Sequence, residues 1–198
     1  LFAATPPLEA KKMLFSLATT EGIGYFANNN KPCMKLEFID IRRAYYQAEA
    51  RRDLYVQLPP EDRTAGMCGK LNKALQGTRD AAQCWEYEYN NFMVSELGFV
   101  RGVCSPCMFY HPKKNIRAVI HGDDFTLLGT DLSLDWFRSM IQAKWQVKIK
   151  GRIGPDEHDS KIIHVLNRLV EWKADGIHYE ADQRHAQIIV KMLGLDSS

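Results

Sequence analysis

Three carboxylates carry the most legible chemistry in this chain. Asp123 and Asp124 are adjacent, between Val119-Ile120 and Phe125-Thr126-Leu127-Leu128, so the pair is expected at the tip of a β-hairpin. A tight turn crowds the two like charges, and crowded carboxylates repel. Divalent cations between them reverse that cost. Asp40 ends another strongly apolar stretch, Lys35 to Ile41. If the two stretches neighbour each other in one sheet, Asp40 faces Asp123. The result is a hard-oxygen site for two Mg²⁺ ions, or Mn²⁺ in their place, as used for in-line phosphoryl and nucleotidyl transfer. Taken alone, the Asp123-Asp124 pair fits an ordinary turn equally well, because aspartate suits turns. Asp40 alone also fits a cap on the element that follows.

A second constellation is weaker. Cys104 and Cys107 form one C-x-x-C, with His111 four residues on. Structural zinc takes about four ligands, and no second pair stands at suitable spacing, so two cysteines beside a buried strand is the preferred reading. Five scattered cysteines suit reduced thiols inside a cell better than a disulfide framework.

The elements that must position the carboxylates follow from periodicity. A helix is expected after Thr5-Pro6-Pro7, with Ala10, Met13, Leu14, Leu17 and Ala18 on one face and Gly22 and Gly24 ending it. A turn at 28–32 leads to the strand 35–41. A short strand, 54–58, closes at Pro59-Pro60, and 61–69 read as loop. A helix is expected over 79–97, with Trp85, Tyr89, Phe92, Met93 and Leu97 on one face. Trp85 and Trp145 read as core. Strands are expected at 107–111, 118–121 and 125–128. A helix over 132–145 follows, capped by Asp131, then a strand at 146–149. A second hairpin (162–172 with 177–179) and a last helix (182–193) complete the chain. This order predicts an α+β fold with a central antiparallel sheet.

Composition bounds the rest. The 198 residues are 45% hydrophobic and 25% charged, enough for one sizeable core and too apolar for a disordered chain. No apolar run approaches the roughly 18 residues that span a bilayer, so no membrane partner is expected. A net charge of +2 means that any nucleic-acid binding relies on a local patch. The opening has no basic start followed by an apolar stretch, so no secretory signal is expected. It reads as the interior of a longer polypeptide.

Several strings resemble the reverse transcriptases of copia-type retrotransposons. Phe38-Ile39-Asp40-Ile41-Arg42-Arg43-Ala44-Tyr45-Tyr46 is similar to the first catalytic motif, and Leu54-Tyr55-Val56-Gln57-Leu58-Pro59-Pro60 to the segment after it. Lys70-Leu71-Asn72-Lys73-Ala74-Leu75-Gln76-Gly77-Thr78-Arg79-Asp80-Ala81-Ala82-Gln83-Cys84-Trp85 resembles the K-L-x-K-x-L-Y-G-L-K-Q-A-P-R-x-W block. Leu97-Gly98-Phe99 and Ser105-Pro106-Cys107-Met108-Phe109-Tyr110 resemble the G-F and D-x-C-x-Y segments. His121-Gly122-Asp123-Asp124 stands where the family has Y-V-D-D. The matches run from residue 5 to about 195, in the family's order.

The resemblance implies an RNA-directed DNA polymerase of an LTR-retrotransposon Pol polyprotein. It would transfer nucleotides from dNTPs to a primer 3′-hydroxyl on an RNA or DNA template. It implies a polymerase palm at 35–53 and 81–150, fingers-like parts at 1–34 and 54–80, and a thumb- or connection-like part at 151–198. Asp40 and Asp123 would be metal ligands, Asp124 an assisting carboxylate, and the Ile41 carbonyl a further ligand. Backbone amides near Arg43 and Ala44 would cradle the triphosphate. Tyr45 would stack under the sugar and exclude a 2′-hydroxyl. Gln76 and Gly77 would contact the incoming nucleotide, and Lys148 would protonate the leaving pyrophosphate. Arg42, Arg79, Lys113 and Lys114 would touch template-primer phosphates, with Gly122 near the primer end. Departures are Ala82 for a proline, His121 and Gly122 for Tyr and Val, and Lys12 for an arginine.

The resemblance also implies an upstream basic fingers segment and a downstream RNase H domain in the parent polyprotein, and residence in a cytoplasmic virus-like particle. The alternatives are a non-catalytic remnant binding RNA at most, and an RNA-dependent RNA polymerase. The Gly-Asp-Asp triplet favours the latter, and Tyr45 opposes it.

Overall fold

The computed structural model describes residues 3–28, 31–165, 168–181 and 183–195. Its helices are α1 (Leu8–Thr19), α2 (Ala44–Gln47), α3 (Ala81–Asn91), α4 (Asp131–Lys144) and α5 (Gln183–Met192). Its strands are β1 (Lys35–Ile41), β2 (Tyr55–Val56), β3 (Gly69–Lys70), β4 (Val100–Arg101), β5 (Met108–His111), β6 (Ile116–His121), β7 (Asp124–Gly129), β8 (Val147–Ile153), β9 (Ile162–Val165), β10 (Arg168–Lys173) and β11 (Gly176–Ala181). The fold is α+β, as the sequence predicts.

Six strands form one antiparallel sheet in the order β4-β5-β6-β7-β1-β8. β1 lies inside the sheet, between β7 and the edge strand β8, and almost every side chain in Lys35–Ile41 is buried, as a strand covered on both faces requires. Alternation splits β1 between two cores. Ile39 and Ile41 pack with Trp85, Phe92, Phe125, Phe137 and Ile141, on the face covered by α3 and α4. Leu36 and Phe38 pack with Leu14, Phe15, Ala18, Val170 and Trp172, on the face covered by α1 and the sheet β9-β10-β11.

Several elements differ from their expected form. The strand 54–58 is reduced to Tyr55–Val56, paired with Gly69–Lys70. α3 stops at Asn91 and continues as a π-turn over Phe92–Glu96. The expected hairpin 162–179 is a three-stranded sheet. Thr130, not Asp131, stands at the N-cap of α4, because Asp131 is drawn into an ion cluster. The turn at 28–32 and the start of α5 at Asp182 lie partly outside the described residues. Among the described residues no helix is long and apolar enough to cross a membrane.

The buried face of β1 carries two charges at its start. The Lys35 ammonium meets Asp131 at 2.8 Å, Asp156 at 2.8 Å and Asp159 at 2.7 Å. Burial opposes its charge, but the three carboxylates outweigh burial and hold the amine above its ordinary value. Glu37 pairs with Arg138 and, at 3.0 Å, with Arg152. Removing one partner of such a cluster strands the others, at a cost of about 3 kcal/mol or more. Lys35→Met is therefore expected to lower the melting temperature sharply.

The same cluster sets an acid dependence. Burial alone would raise the Asp131 carboxyl, but hydrogen bonds from Lys35 and Arg152 hold it below its ordinary value. A depressed folded value stabilises above the unfolded value of about 3.9 and loses that stabilisation as pH falls through the folded one. The stability gap between wild type and Asp131→Asn, measured by urea titration, is expected to be full at pH 7 and to close below pH 4.

Candidate active site

Strand register brings two of the three carboxylates together. β6 and β7 form a hairpin in which His121 pairs with Asp124, leaving Gly122 and Asp123 as the two turn residues. Gly122 takes φ of 62°, a conformation glycine adopts without penalty. Asp124 is thus the first residue of β7 rather than part of the tip, and it is 4% exposed. Its cross-strand partner on β1 is Asp40. The expected facing pair Asp40–Asp123 is therefore corrected to Asp40–Asp124, since paired residues of an antiparallel ladder project to the same face. Asp123 stays exposed at the tip, and its carbonyl accepts the Ile41 backbone N–H at 2.9 Å. That hydrogen bond joins the end of β1 to the turn.

Four basic groups lie around these acids. Lys150 Nζ lies 2.5 Å from Asp124 and 3.4 Å from Asp40. Burial opposes the Lys150 charge most, but the hydrogen bonds and charges of Asp124 and Asp40 together outweigh it and raise the amine. Lys148, the lysine singled out by sequence, sits opposite Asp40 in the ladder but is exposed. The register shift between Phe38 and Ile39, opposite Gly151, leaves Lys150 outside the paired positions and aimed at the acids. Lys11 of α1 is 6% exposed. Burial pushes its amine down, with Asp124 drawing it up and Lys150 pushing it down further. His121 is also pushed down, first by burial and then by Lys11. Asp123 is pushed up by desolvation and by the charges of Asp124 and Asp40.

The remaining candidates lie around this cluster or away from it. Ile41 is buried at the end of β1. Arg43 follows with φ of 53° and caps the start of α2. Among the described residues the Arg43 and Ala44 backbone N–H groups have no partner, and such successive amides form an anion-binding concavity. Tyr45 is partly buried and packed against the core under α3. Gln76 and Gly77 are exposed in the loop before α3, where Gly77 takes φ of 92°. Arg42 and Arg79 line two different clefts. Arg42 sits with Gln47, Gln142 and Gln146, and Arg79 with Arg51, Arg52 and Gln83. Lys113 and Lys114 lie at the start of β6, roughly 17 Å from its other end by strand rise.

Asp156, His158 and Asp159 are the three ligand-type side chains among the described residues whose donor atoms gather within 4.8 Å. The Lys35 ammonium already neutralises both aspartates. Cys104 and Cys107 are free thiols, and His111 accepts the Lys114 N–H at 3.2 Å within a packed aromatic cluster.

Acids thus stand at the end of β1 and at the turn of the neighbouring β6–β7 hairpin, in one six-stranded antiparallel sheet. Residues 25–155 match the family described as reverse transcriptase (RNA-dependent DNA polymerase), and the chain belongs to that family. It is 30% identical over 102 residues to the retrovirus-related Pol polyprotein from transposon RE1 of Arabidopsis thaliana, covering 48% of this chain and 7% of that protein. It is 25% identical over 107 residues to the retrovirus-related Pol polyprotein from transposon TNT 1-94 of Nicotiana tabacum, covering 51% and 8%. The chain thus spans less than a tenth of either relative's length.

Proposed function

We propose that this chain is the polymerising part of a copia-type retrotransposon Pol polyprotein, extending a primer on an RNA or DNA template from dNTPs. The observation that carries the reading is the Asp40–Asp124 pair, next to Asp123 in the chain, held by register at the ends of two neighbouring strands in a member of this family. Asp40 and Asp124 lie close enough to share one ammonium group, so their oxygens suit a hard divalent cation. Asp40, Asp123, Asp124 and the Ile41 carbonyl would hold Mg²⁺ or Mn²⁺, which supplies charge neutralisation for nucleotidyl transfer.

The chain's own groups do the rest. The free amides of Arg43 and Ala44 bind phosphate oxygens of the incoming nucleotide. Lys150, nearer the acids than Lys148, is the cation placed to meet the leaving phosphates. Gln76 and Gly77 approach the base, and Gly122 leaves space beside the primer end. Arg42 and Arg79 meet template-primer phosphates in separate clefts. Residues 35–53 and 81–150 act as palm, 1–34 and 54–80 as fingers, and 151–198 as thumb or connection. Upstream fingers and a downstream RNase H portion of the polyprotein are the expected partners, within a cytoplasmic particle.

The test is primer extension on an RNA template with Mg²⁺ and dNTPs, beside Asp123→Asn. Extension that disappears in the variant supports the reading. A folded chain that binds RNA but extends nothing, even with the upstream segment restored, identifies a non-catalytic remnant.

Tyr45 provides a specificity test. A ring beneath the sugar of the incoming nucleotide leaves no room for a 2′-hydroxyl, and such steric discrimination is worth roughly 10²-fold. Tyr45→Val is expected to raise ribonucleotide incorporation about tenfold relative to deoxynucleotide, read as the ratio of kcat/KM values. An unchanged ratio assigns Tyr45 to packing alone.

A further inference from the structure

We propose that Trp85 is a positioning residue that fixes the turn bearing Asp123. The inference rests on the reading of Asp123 as a metal ligand. Sequence periodicity marks Trp85 as core, and it is 1% exposed. Its indole N–H, however, leaves the core and donates to the Gly122 carbonyl at 2.8 Å. Tryptophan is a donor only, and a buried indole N–H needs an acceptor. The acceptor here belongs to the residue directly before Asp123.

The turn needs such a tether. It has two residues, and the first is a glycine, the residue with the widest backbone freedom. Both turn carbonyls are tied from outside the hairpin. Gly122 O receives Trp85 Nε1, and Asp123 O receives the Ile41 N–H. The first ties the turn to α3, and the second ties it to the strand carrying Asp40. With both in place, the Asp123 main chain cannot rotate away from Asp40 without breaking a hydrogen bond.

The indole is itself immobilised. It meets Tyr89 edge-on at 5.8 Å and Trp145 edge-on at 4.9 Å between centroids, and Trp145 packs on Phe92 at 4.7 Å. A ring held on two sides aims its N–H in one direction. Trp145 belongs to the same cluster and has no hydrogen bond to the turn, so it serves as the control for packing.

The experiment measures Mn²⁺ binding by electron paramagnetic resonance for wild type, Trp85→Phe, Trp145→Phe and Asp123→Asn. Phenylalanine keeps an aromatic ring at position 85 and removes the donor. One hydrogen bond corresponds to a several-fold effect, so Trp85→Phe is expected to weaken Mn²⁺ about three- to tenfold. Trp145→Phe is expected to lower the melting temperature while leaving Mn²⁺ affinity within twofold. Equal affinity in Trp85→Phe and wild type overturns the proposal, as does equal weakening by Trp145→Phe. If wild type and Asp123→Asn bind Mn²⁺ alike, the metal reading of Asp123 falls and takes this proposal with it.

Should Trp85→Phe not fold, the wild-type chain supplies the readout through nitrogen-15 NMR of its four indole N–H groups. One exchange-protected indole signal is expected to shift saturably with Mg²⁺, and not to shift in Asp123→Asn. Indole signals that ignore Mg²⁺ in wild type overturn the tether.

Discussion

Asp40→Asn is expected to reduce RNA-templated primer extension by about 10³-fold or more, with the melting temperature at or above that of wild type. The side chains are nearly isosteric, so the ladder of β1 with β7 and β8 survives. What is lost is one of three clustered negative charges, and the charge at such a site accounts for several kcal/mol of transition-state stabilisation. Stability moves the other way. Asp123 is pushed up partly by the charge of Asp40, so removing that charge relieves repulsion in the folded state. The loss of the 3.4 Å contact to Lys150 offsets part of that relief, while the shorter contact to Asp124 remains. Activity lost without stability lost separates a functional acid from a structural one. Extension within tenfold of wild type, read as single-turnover kcat, would remove Asp40 from the machinery.

Lys150→Met is expected to tighten Mn²⁺ or Mg²⁺ binding by about ten- to a hundredfold. The Lys150 ammonium lies 2.5 Å from Asp124 and 3.4 Å from Asp40. A cation entering between these acids must displace it. A charge-assisted hydrogen bond contributes about 1.5–3 kcal/mol, and each 1.4 kcal/mol is a factor of ten in affinity. Methionine keeps the length and apolar stem of the side chain and removes the competing charge. Calorimetric titration reads the change directly. Unchanged affinity would mean that Lys150 swings aside without cost.

Much of this site is legible in the sequence, and the exceptions have physical reasons. β1, the β6–β7 hairpin and the proximity of Asp40 to the aspartate pair follow from apolar runs ending in acids. Asp124 is misplaced because two adjacent aspartates at a turn do not reveal which one pairs. Only the His121–Asp124 register decides it. Lys150 is not singled out by the sequence, because it reaches the acids through a register shift that no periodicity encodes.

Lys11 escapes because a charged residue interrupts the apolar pattern of α1. The buried stripe is Ala10, Lys11, Leu14, Phe15 and Ala18, which rotates the helix so that Met13 is exposed. Trp85 is legible as core, but its hydrogen bond to Gly122 is a tertiary fact. Arg43 in a left-handed conformation is invisible in a sequence where a glycine would have announced it.

The Lys35 cluster has a consequence for cooperativity. Its carboxylates come from α4 and from the connector between β8 and β9. The same connector is closed by Lys161, whose ammonium donates to the Gly154 carbonyl at 2.8 Å and whose own carbonyl accepts the Trp172 N–H at 2.7 Å. Ile163, Val165, Val170 and Trp172 then share one core with Leu36 and Phe38. A connector stapled at both ends, above a shared core, is no hinge. The six-stranded and three-stranded sheets therefore form a single mechanical unit, and loss of one carries the other with it.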